Sequence, residues 1–239
     1  MNAATAKLSN REIAARFDRA ATAYDRISNP YTKTRRAAAL AVQVQGRCIE
    51  VGGGTGAVTQ QLADRGQALH SDIAPSMCRI AARQLGCPSV CFDAESIPLA
   101  DESVDTVVSA EMIYYLDRPE RFLTEAFRVL RPGGRLLLST TNPNVTMIER
   151  MRSRLRRLGF KRMFFDDGTP TFPKVADLRS ALGRAGFIVP QARHTVLLPF
   201  AALHWLNVWL ERTPLRYLAL FVIVRADKPR QSRPVQRRA

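Results

Sequence analysis

The sequence predicts an α/β protein built on a doubly wound, mainly parallel sheet. Short apolar strand segments alternate with amphipathic helices over residues 47–140 and are joined by connections of a few residues. The segment at 104–109 is of the kind buried on both faces. The stretch CIEVGGGTG, residues 48–56, places a glycine run where a strand ends and a helix begins. In an open α/β sheet that carboxyl end is where ligands bind.

The elements follow in order. Residues 10–27 read as one amphipathic helix, with Ile13, Phe17 and Ala21 on one face and Tyr24 next at the same spacing. Asn29-Pro30 breaks it, and residues 31–44 form a second, alanine-rich helical stretch. Strands at 47–51, 68–71, 89–92, 104–109 and 135–140 then alternate with helices at 57–65, 75–85 and 119–130. Pro75 opens its helix at the first position, where its missing N–H costs nothing. Arg131-Pro132-Gly133-Gly134 ends the helix before the fifth strand. Parallel strands need right-handed crossovers, so helices cover both faces.

After Thr141 the alternation loosens. Residues 144–158 read as helix, 160–172 as loop and 174–185 as helix with Gly186 as its cap. Strands are expected at 193–198 and 217–224 with a helical stretch between them. The Pro, Gln, Ser and Arg content beyond Lys228 predicts disorder. The expected organisation is a helical cap over 1–44, a sheet domain over 45–228 with 144–172 as a lid on the acceptor side, and a basic tail over 229–239.

At 239 residues the chain buries a core without needing disulfides or metal. Cys48, Cys78, Cys87 and Cys91 form no CxxC pair and have no histidine cluster beside them, so reduced thiols and no metal site are expected. The N-terminal residues lack an apolar signal core, and no apolar run reaches about 18 residues. The expectation is a cytoplasmic protein without a membrane span. The net charge of +15 is uneven. Residues 48–149 carry 8 basic and 13 acidic side chains, while residues 150–162 carry 7 basic and no acidic ones. The acidic part of the chain is its predicted ligand-binding part.

The glycine run alone implies only close approach of a ligand to the backbone. A dinucleotide turn requires GxGxxG, whereas Gly52, Gly53, Gly54 and Gly56 lie in an E-x-G-x-G-x-G pattern. Glu50, two residues before the first glycine, would repel a pyrophosphate and suits a cationic group such as an ammonium or a sulfonium. Asp72 ends the next strand, 22 residues after Glu50, where a carboxylate takes ribose hydroxyls. Asp93 follows the third strand and suits an exocyclic amine. Singly, each acid also fits a loop or helix cap. Jointly, three acids at one sheet edge point to a cationic nucleoside.

These residues resemble the class I S-adenosylmethionine-dependent methyltransferases, in the type 11 group that includes ubiquinone- and menaquinone-biosynthesis C-methyltransferases. The resemblance is carried by Glu50-Val51-Gly52-Gly53-Gly54-Thr55-Gly56, Asp72-Ile73-Ala74-Pro75-Ser76-Met77, Asp93-Ala94-Glu95 and Val104-Asp105-Thr106-Val107-Val108. It continues through Glu111-Met112-Ile113-Tyr114-Tyr115-Leu116 and Val129-Leu130-Arg131-Pro132-Gly133-Gly134, and is looser over Phe17-Asp18-Arg19-Ala20 and Tyr24-Asp25. It implies a Rossmann-like, seven-stranded sheet ending in an antiparallel hairpin, with S-adenosylmethionine as cofactor. The glycine turn and Glu50 would lie by the methionine moiety and Asp72 at the ribose. Ile73 and Met77 would pack near the adenine, with Asp93 and Ala94 at its amine edge, and Glu95 would belong to the same cofactor site. Tyr115 stands where many relatives carry histidine, so no histidine role transfers. The exit of the fourth strand, Ser109-Ala110-Glu111-Met112, lacks the NPPY-like run of base amino-methyltransferases.

Methyl transfer rests largely on positioning and desolvation, and needs a base only if the nucleophile must lose a proton. No base stands out. Tyr24, Glu111 and Tyr115 are the candidates, with packing or a helix-start carboxylate as the plainer alternatives. The acceptor expected is a small, largely apolar metabolite such as a lipid, quinone precursor or polyketide-like compound. An RNA or protein acceptor, or a non-catalytic cofactor-binding regulator, is the alternative. Residues 147–162 read as a basic amphipathic helix that suits an anionic substrate or an anionic membrane surface. Residues 198–224 add aliphatic surface and two tryptophans that suit the core, an acceptor pocket or lipid. Nucleic acid ranks behind a small molecule because the arginines are interleaved with aliphatic, not aromatic, residues.

Overall fold

The computed structural model describes residues 8–27, 29–63, 68–144, 173–196 and 198–230. The helix expected at 144–158, the loop at 160–172 and the tail beyond 230 lie outside those residues, apart from Asn144. Seven strands form one sheet: β1 (Cys48–Val51), β2 (Ala68–Asp72), β3 (Ser89–Cys91), β4 (Val104–Ala110), β5 (Leu130–Thr141), β6 (Ile188–Thr195) and β7 (Phe221–Asp227). Their order is β3-β2-β1-β4-β5-β7-β6. The first five are mutually parallel, and β7 runs antiparallel between β5 and β6. The order reverses between β1 and β4, which makes the carboxyl ends of those two strands the switch point.

Alternating side chains sort the core into two layers. Ile49, Val51, Val107, Leu136, Leu138, Val222 and Val224 pack beneath α6 (Pro119–Val129) and α7 (Val175–Arg184). Their immediate neighbours Cys48, Val108, Leu137 and Ile223 face the other way, under α3 (Pro30–Ala41) and α4 (Ala57–Ala63). Each fully buried leucine among them contributes roughly 1.5–3 kcal/mol relative to an exposed one.

Several boundaries differ from the sequence reading for local reasons. The helix expected over 10–27 is two pieces, α1 (Asn10–Ala20) and α2 (Tyr24–Ile27), separated by a turn. α1 opens on a capping box in which Ser9 accepts from the Glu12 N–H and Glu12 accepts from the Ser9 N–H. β5 starts at Leu130 rather than 135, because Leu130 already pairs with Val104 and residues 131–134 form an irregularity before Arg135 pairs with Thr106. A Cβ on Gly134 would stand 2.8 Å from the Arg131 carbonyl oxygen, so this bulge requires glycine there. β6 starts at Ile188, five residues earlier than expected, and carries Pro190 where its register slips; an edge strand tolerates that. The remaining helices are α5 (Pro75–Leu85) and α8 (His204–Leu210).

Candidate active site

The carboxyl ends of β1, β2, β3 and β4 open into a cleft of about 660 Å³, measured out to its mouth. Its floor is the glycine turn. Gly52 and Gly54 line it with φ of 73° and 58°, a region that favours glycine. A Cβ on Gly54 would find only Tyr24, at 3.5 Å, so its missing side chain leaves open space in the cleft. Gly53 and Gly56 serve packing instead. A Cβ on Gly53 would strike the His70 ring at 2.6 Å, and one on Gly56 would strike Leu85 at 2.4 Å.

Asp72 ties the turn to the second strand. Its carboxylate accepts the N–H of Gly54 at 2.8 Å and of Ala74 at 2.9 Å. The Ile73 N–H also acts on it, so of about four lone-pair directions not all are taken by the backbone. Burial raises its pKa, and the backbone donors oppose that. Ile73, Met77, Phe92, Asp93 and Ala94 continue the wall on that side. Asp93 is partly engaged: it accepts from the Glu95 N–H at 2.9 Å and from Asn10 Nδ2 at 2.9 and 3.2 Å.

Two of the acids in the sequence pattern stand outside the cleft lining. Glu50 is 1% exposed, lies behind the turn, and accepts a hydrogen bond from Thr59 Oγ1. Desolvation raises its pKa to about 7, against hydrogen bonds from Thr59. His70 pairs with it across β1 and β2, and burial lowers its pKa. Glu95 turns away from the cleft to hold the approach to α6, accepting the Arg118 N–H at 2.7 Å and its Nε at 3.0 Å.

Above the floor, α1 and α2 close one side. Asn10, Ile13, Phe17 and Tyr24 line the cleft from the cap. Asn10 bridges to Asp93 and accepts from the Asp117 N–H at 3.2 Å, and Asp18 accepts from the Ser76 N–H at 2.7 Å. Asn10 was not singled out by its sequence, yet it stands on the face shared by Ile13 and Phe17; a polar residue at that register was the available signal. The ring of Phe17 meets Tyr115 edge-on at 5.2 Å and Tyr24 at 6.1 Å, and Tyr114 lies 4.7 Å from Tyr115. Such aromatic faces attract a cation.

Glu111 leaves β4 with φ of 58°, left-handed for a residue that has a Cβ. Backbone of that kind costs on the order of 1–3 kcal/mol and is held by its surroundings. The carboxylate accepts three hydroxyls, from Ser139 at 2.9 Å, Thr141 at 2.6 Å and Tyr114 at 3.0 Å. Burial holds the Tyr114 phenol well above its usual pKa, with the Glu111 charge adding to it, and burial raises that of Tyr24. Neither phenol is a base at neutral pH.

Beside this cluster α3 carries two successive arginines with different fates. Arg35 pairs with Glu211 at 2.9 Å. The Arg36 guanidinium lies 4.9 Å over the ring of Phe221, which pairs across the sheet with Thr141. Its Nε is buried without a hydrogen-bond partner, and it joins no ion pair among the described residues. Its charge favours the ionised forms of Glu50, Tyr24 and Tyr114. Arg36 is thus a half-buried cation that does not line the cleft but whose charge acts on Tyr24 in its wall, and nothing in the sequence distinguishes the paired arginine from the other.

Residues 49–138 match the family model described as a methyltransferase domain. The match supports a class I S-adenosylmethionine-dependent methyltransferase domain over those residues. The malonyl-acyl-carrier-protein O-methyltransferase of Laribacter hongkongensis is 32% identical over 200 residues, covering 74% of this chain and 64% of that protein. The demethylmenaquinone methyltransferase of Renibacterium salmoninarum is 32% identical over 139 residues, covering 54% and 58%. The biotin biosynthesis bifunctional protein BioHC of Cellvibrio japonicus is 40% identical over 110 residues, 45% of this chain and 22% of that one. The chain therefore spans less than two thirds of the length of these relatives. Among solved structures, a methyltransferase from Thermotoga maritima aligns with a TM-score of 0.69 at 23% identity, covering 90% of this chain and 99% of that one. A cyclase, SpnF, aligns with a TM-score of 0.66 at 19% identity, so the fold itself does not fix the reaction. S-adenosylmethionine is the cofactor of the domain family. The open space at Gly54, the Asp72 carboxylate in the cleft lining and the aromatic wall all fit its turn-hugging, hydroxylated and cationic parts.

Proposed function

We propose that the protein methylates a small, largely apolar metabolite that carries a carboxylate. The observation behind this is Arg36: a half-buried guanidinium in no ion pair among the described residues, whose charge acts on Tyr24 in the wall of an apolar-walled cleft. Apolar walls are contributed by Ile13, Phe17, Met112 and Leu116. When bound, S-adenosylmethionine supplies a methyl group on a sulfonium, which a carboxylate takes without giving up a proton. That suits a site whose phenols are held protonated and whose Glu111 carboxylate already accepts three hydroxyls. The O-methyltransferase named among the relatives is in keeping with transfer to oxygen. Asp72, Gly52 and Gly54 would hold the ribose and methionine parts of the cofactor, Ile73, Met77, Asp93 and Ala94 its adenine, and Phe17, Tyr24 and Tyr115 its charged face.

The test is incubation of the purified protein with methyl-labelled S-adenosylmethionine and a metabolite extract, followed by identification of the labelled product. A base-labile methyl ester is expected. Arg36→Gln then raises KM for that acceptor by about 10–100-fold, the worth of a charge-assisted hydrogen bond. The Kd for the cofactor stays unchanged. A product methylated at carbon or nitrogen, or an unaltered KM, overturns the carboxylate reading. Cofactor binding without turnover on any extract favours a regulator instead, and label retained in RNA or protein moves the acceptor to a macromolecule.

A further inference from the structure

Nine large apolar side chains are exposed among the described residues, and six of them fall between positions 200 and 218: Phe200, Trp205, Trp209, Leu215, Tyr217 and Leu218. The two tryptophans are the only ones in the chain, at 68% and 59% exposure. Their outward placement is fixed from behind. Asn207, on the opposite face of α8, is fully buried and bonds to Tyr31 Oη at 2.9 Å and to the Leu198 N–H and carbonyl at 2.8 Å. Trp205 and Trp209, four residues apart, share the outer face.

Charge is sorted across the same segment. Glu211, its sole acid between residues 193 and 226, is turned inward. It accepts from Arg35, Thr195 and the Val196 N–H and pairs with Arg193. Arg212 and Arg216 are exposed and join no ion pair among the described residues. The Arg216 guanidinium lies 5.2 Å over the Tyr217 ring. The outer surface is therefore aromatic and aliphatic with free arginines and no acid. That is the chemistry of a lipid headgroup boundary, where Trp and Tyr sit at the apolar edge and each nearby cation gains from anionic lipid.

Topology adds a position. The segment leaves the sheet after Thr195 and returns at Phe221, both at the edge where β1, β2 and β4 open into the cleft. We propose that residues 200–218 form a docking surface for an anionic membrane, holding the cleft edge of the sheet toward lipid. A second copy of the chain fits less well. A two-fold contact through this patch would bring Arg212 and Arg216 against their own counterparts in a protein of net charge +15. The proposal stands whether or not the acceptor is a carboxylate.

Because both tryptophans lie on the patch, intrinsic fluorescence reads it directly. Titration of the full chain with vesicles of phosphatidylcholine containing phosphatidylglycerol is expected to shift the emission to the blue. Lipids brominated on their acyl chains are expected to quench it, and pure phosphatidylcholine or high salt to weaken both effects. In co-sedimentation, Trp205→Ser with Trp209→Ser should weaken binding by about tenfold or more. The cofactor Kd of that double variant is unchanged, which shows that it is folded. Vesicle binding that persists undiminished in the double variant overturns the proposal, since the basic segments elsewhere would then suffice. Absence of binding to anionic vesicles overturns it too. So does a blue shift that follows protein concentration without vesicles, which assigns the patch to self-association.

Discussion

Glu50 shows how a single carboxylate can be placed for a backbone rather than for a ligand. It is buried behind the glycine turn, Thr59 donates to it, and its pKa stands at about 7 against 4.5 in the unfolded chain. The folded state therefore holds a proton that the unfolded state has lost across that interval. Stability contributed there is full below about pH 4.5 and falls as pH rises to about 7, by about 3 kcal/mol in all. Glu50→Gln keeps a carbonyl acceptor for Thr59 and carries no charge. Urea unfolding of the variant at about pH 5 and about pH 8 should show this slope abolished, with the variant the more stable protein at the higher pH. Asp72 differs because both oxygens face backbone donors and the cleft. Sequence spacing put Asp72 at the end of β2, while Glu50 lies within β1, one residue short of its end; spacing alone cannot tell an acid aimed over a turn from one tucked beneath it.

At the scale of elements, the cap is attached by few bonds, and they are long-range. Asn10 joins α1 to the loops after β3 and before α6, across 83 and 107 residues of sequence. Asp18 joins it to the start of α5, and Ala21, Ala74 and Met77 form a small separate core beneath it. Asn10→Ala removes hydrogen bonds to a carboxylate and a backbone N–H, worth about 1–2 kcal/mol at a half-buried site. Amide exchange in α1 should quicken by about tenfold, and cofactor dissociation with it, while exchange in β1 and β4 is unaltered. Equal acceleration throughout the sheet would show that the cap is no separate unit. The β1-to-β5 half was largely legible because period, proline and glycine agree at most boundaries, as at Pro75 and Gly86 around α5. The rest depended on tertiary pairing. Leu130 extends β5 only because Val104 is opposite, Pro190 is tolerated only because β6 is an edge, and Arg36 differs from Arg35 only by what α3 packs against.

For the whole molecule, the cleft draws on α1, α2 and the ends of four strands, so a ligand there is bound by distant parts of the sequence at once. Occupancy should raise the stability of the domain as one unit. At a free concentration of S-adenosylhomocysteine 100 times its Kd, the gain is about 2.7 kcal/mol. For a domain of this size that raises Tm by about 5–10 °C. Scanning calorimetry should show a single transition displaced by that amount, and a split transition would mean that the late strands melt apart from the early ones. The sheet order also bears on how the protein is made. β7 lies between β5 and β6 although it follows both in the sequence. While the chain emerges from the ribosome, β5 keeps an open hydrogen-bonding edge and β6 has no neighbour until residues 221–227 arrive. Translation that stops anywhere between β6 and β7 leaves two bare edges at once, and such a fragment is a substrate for chaperones and proteases rather than a shorter enzyme.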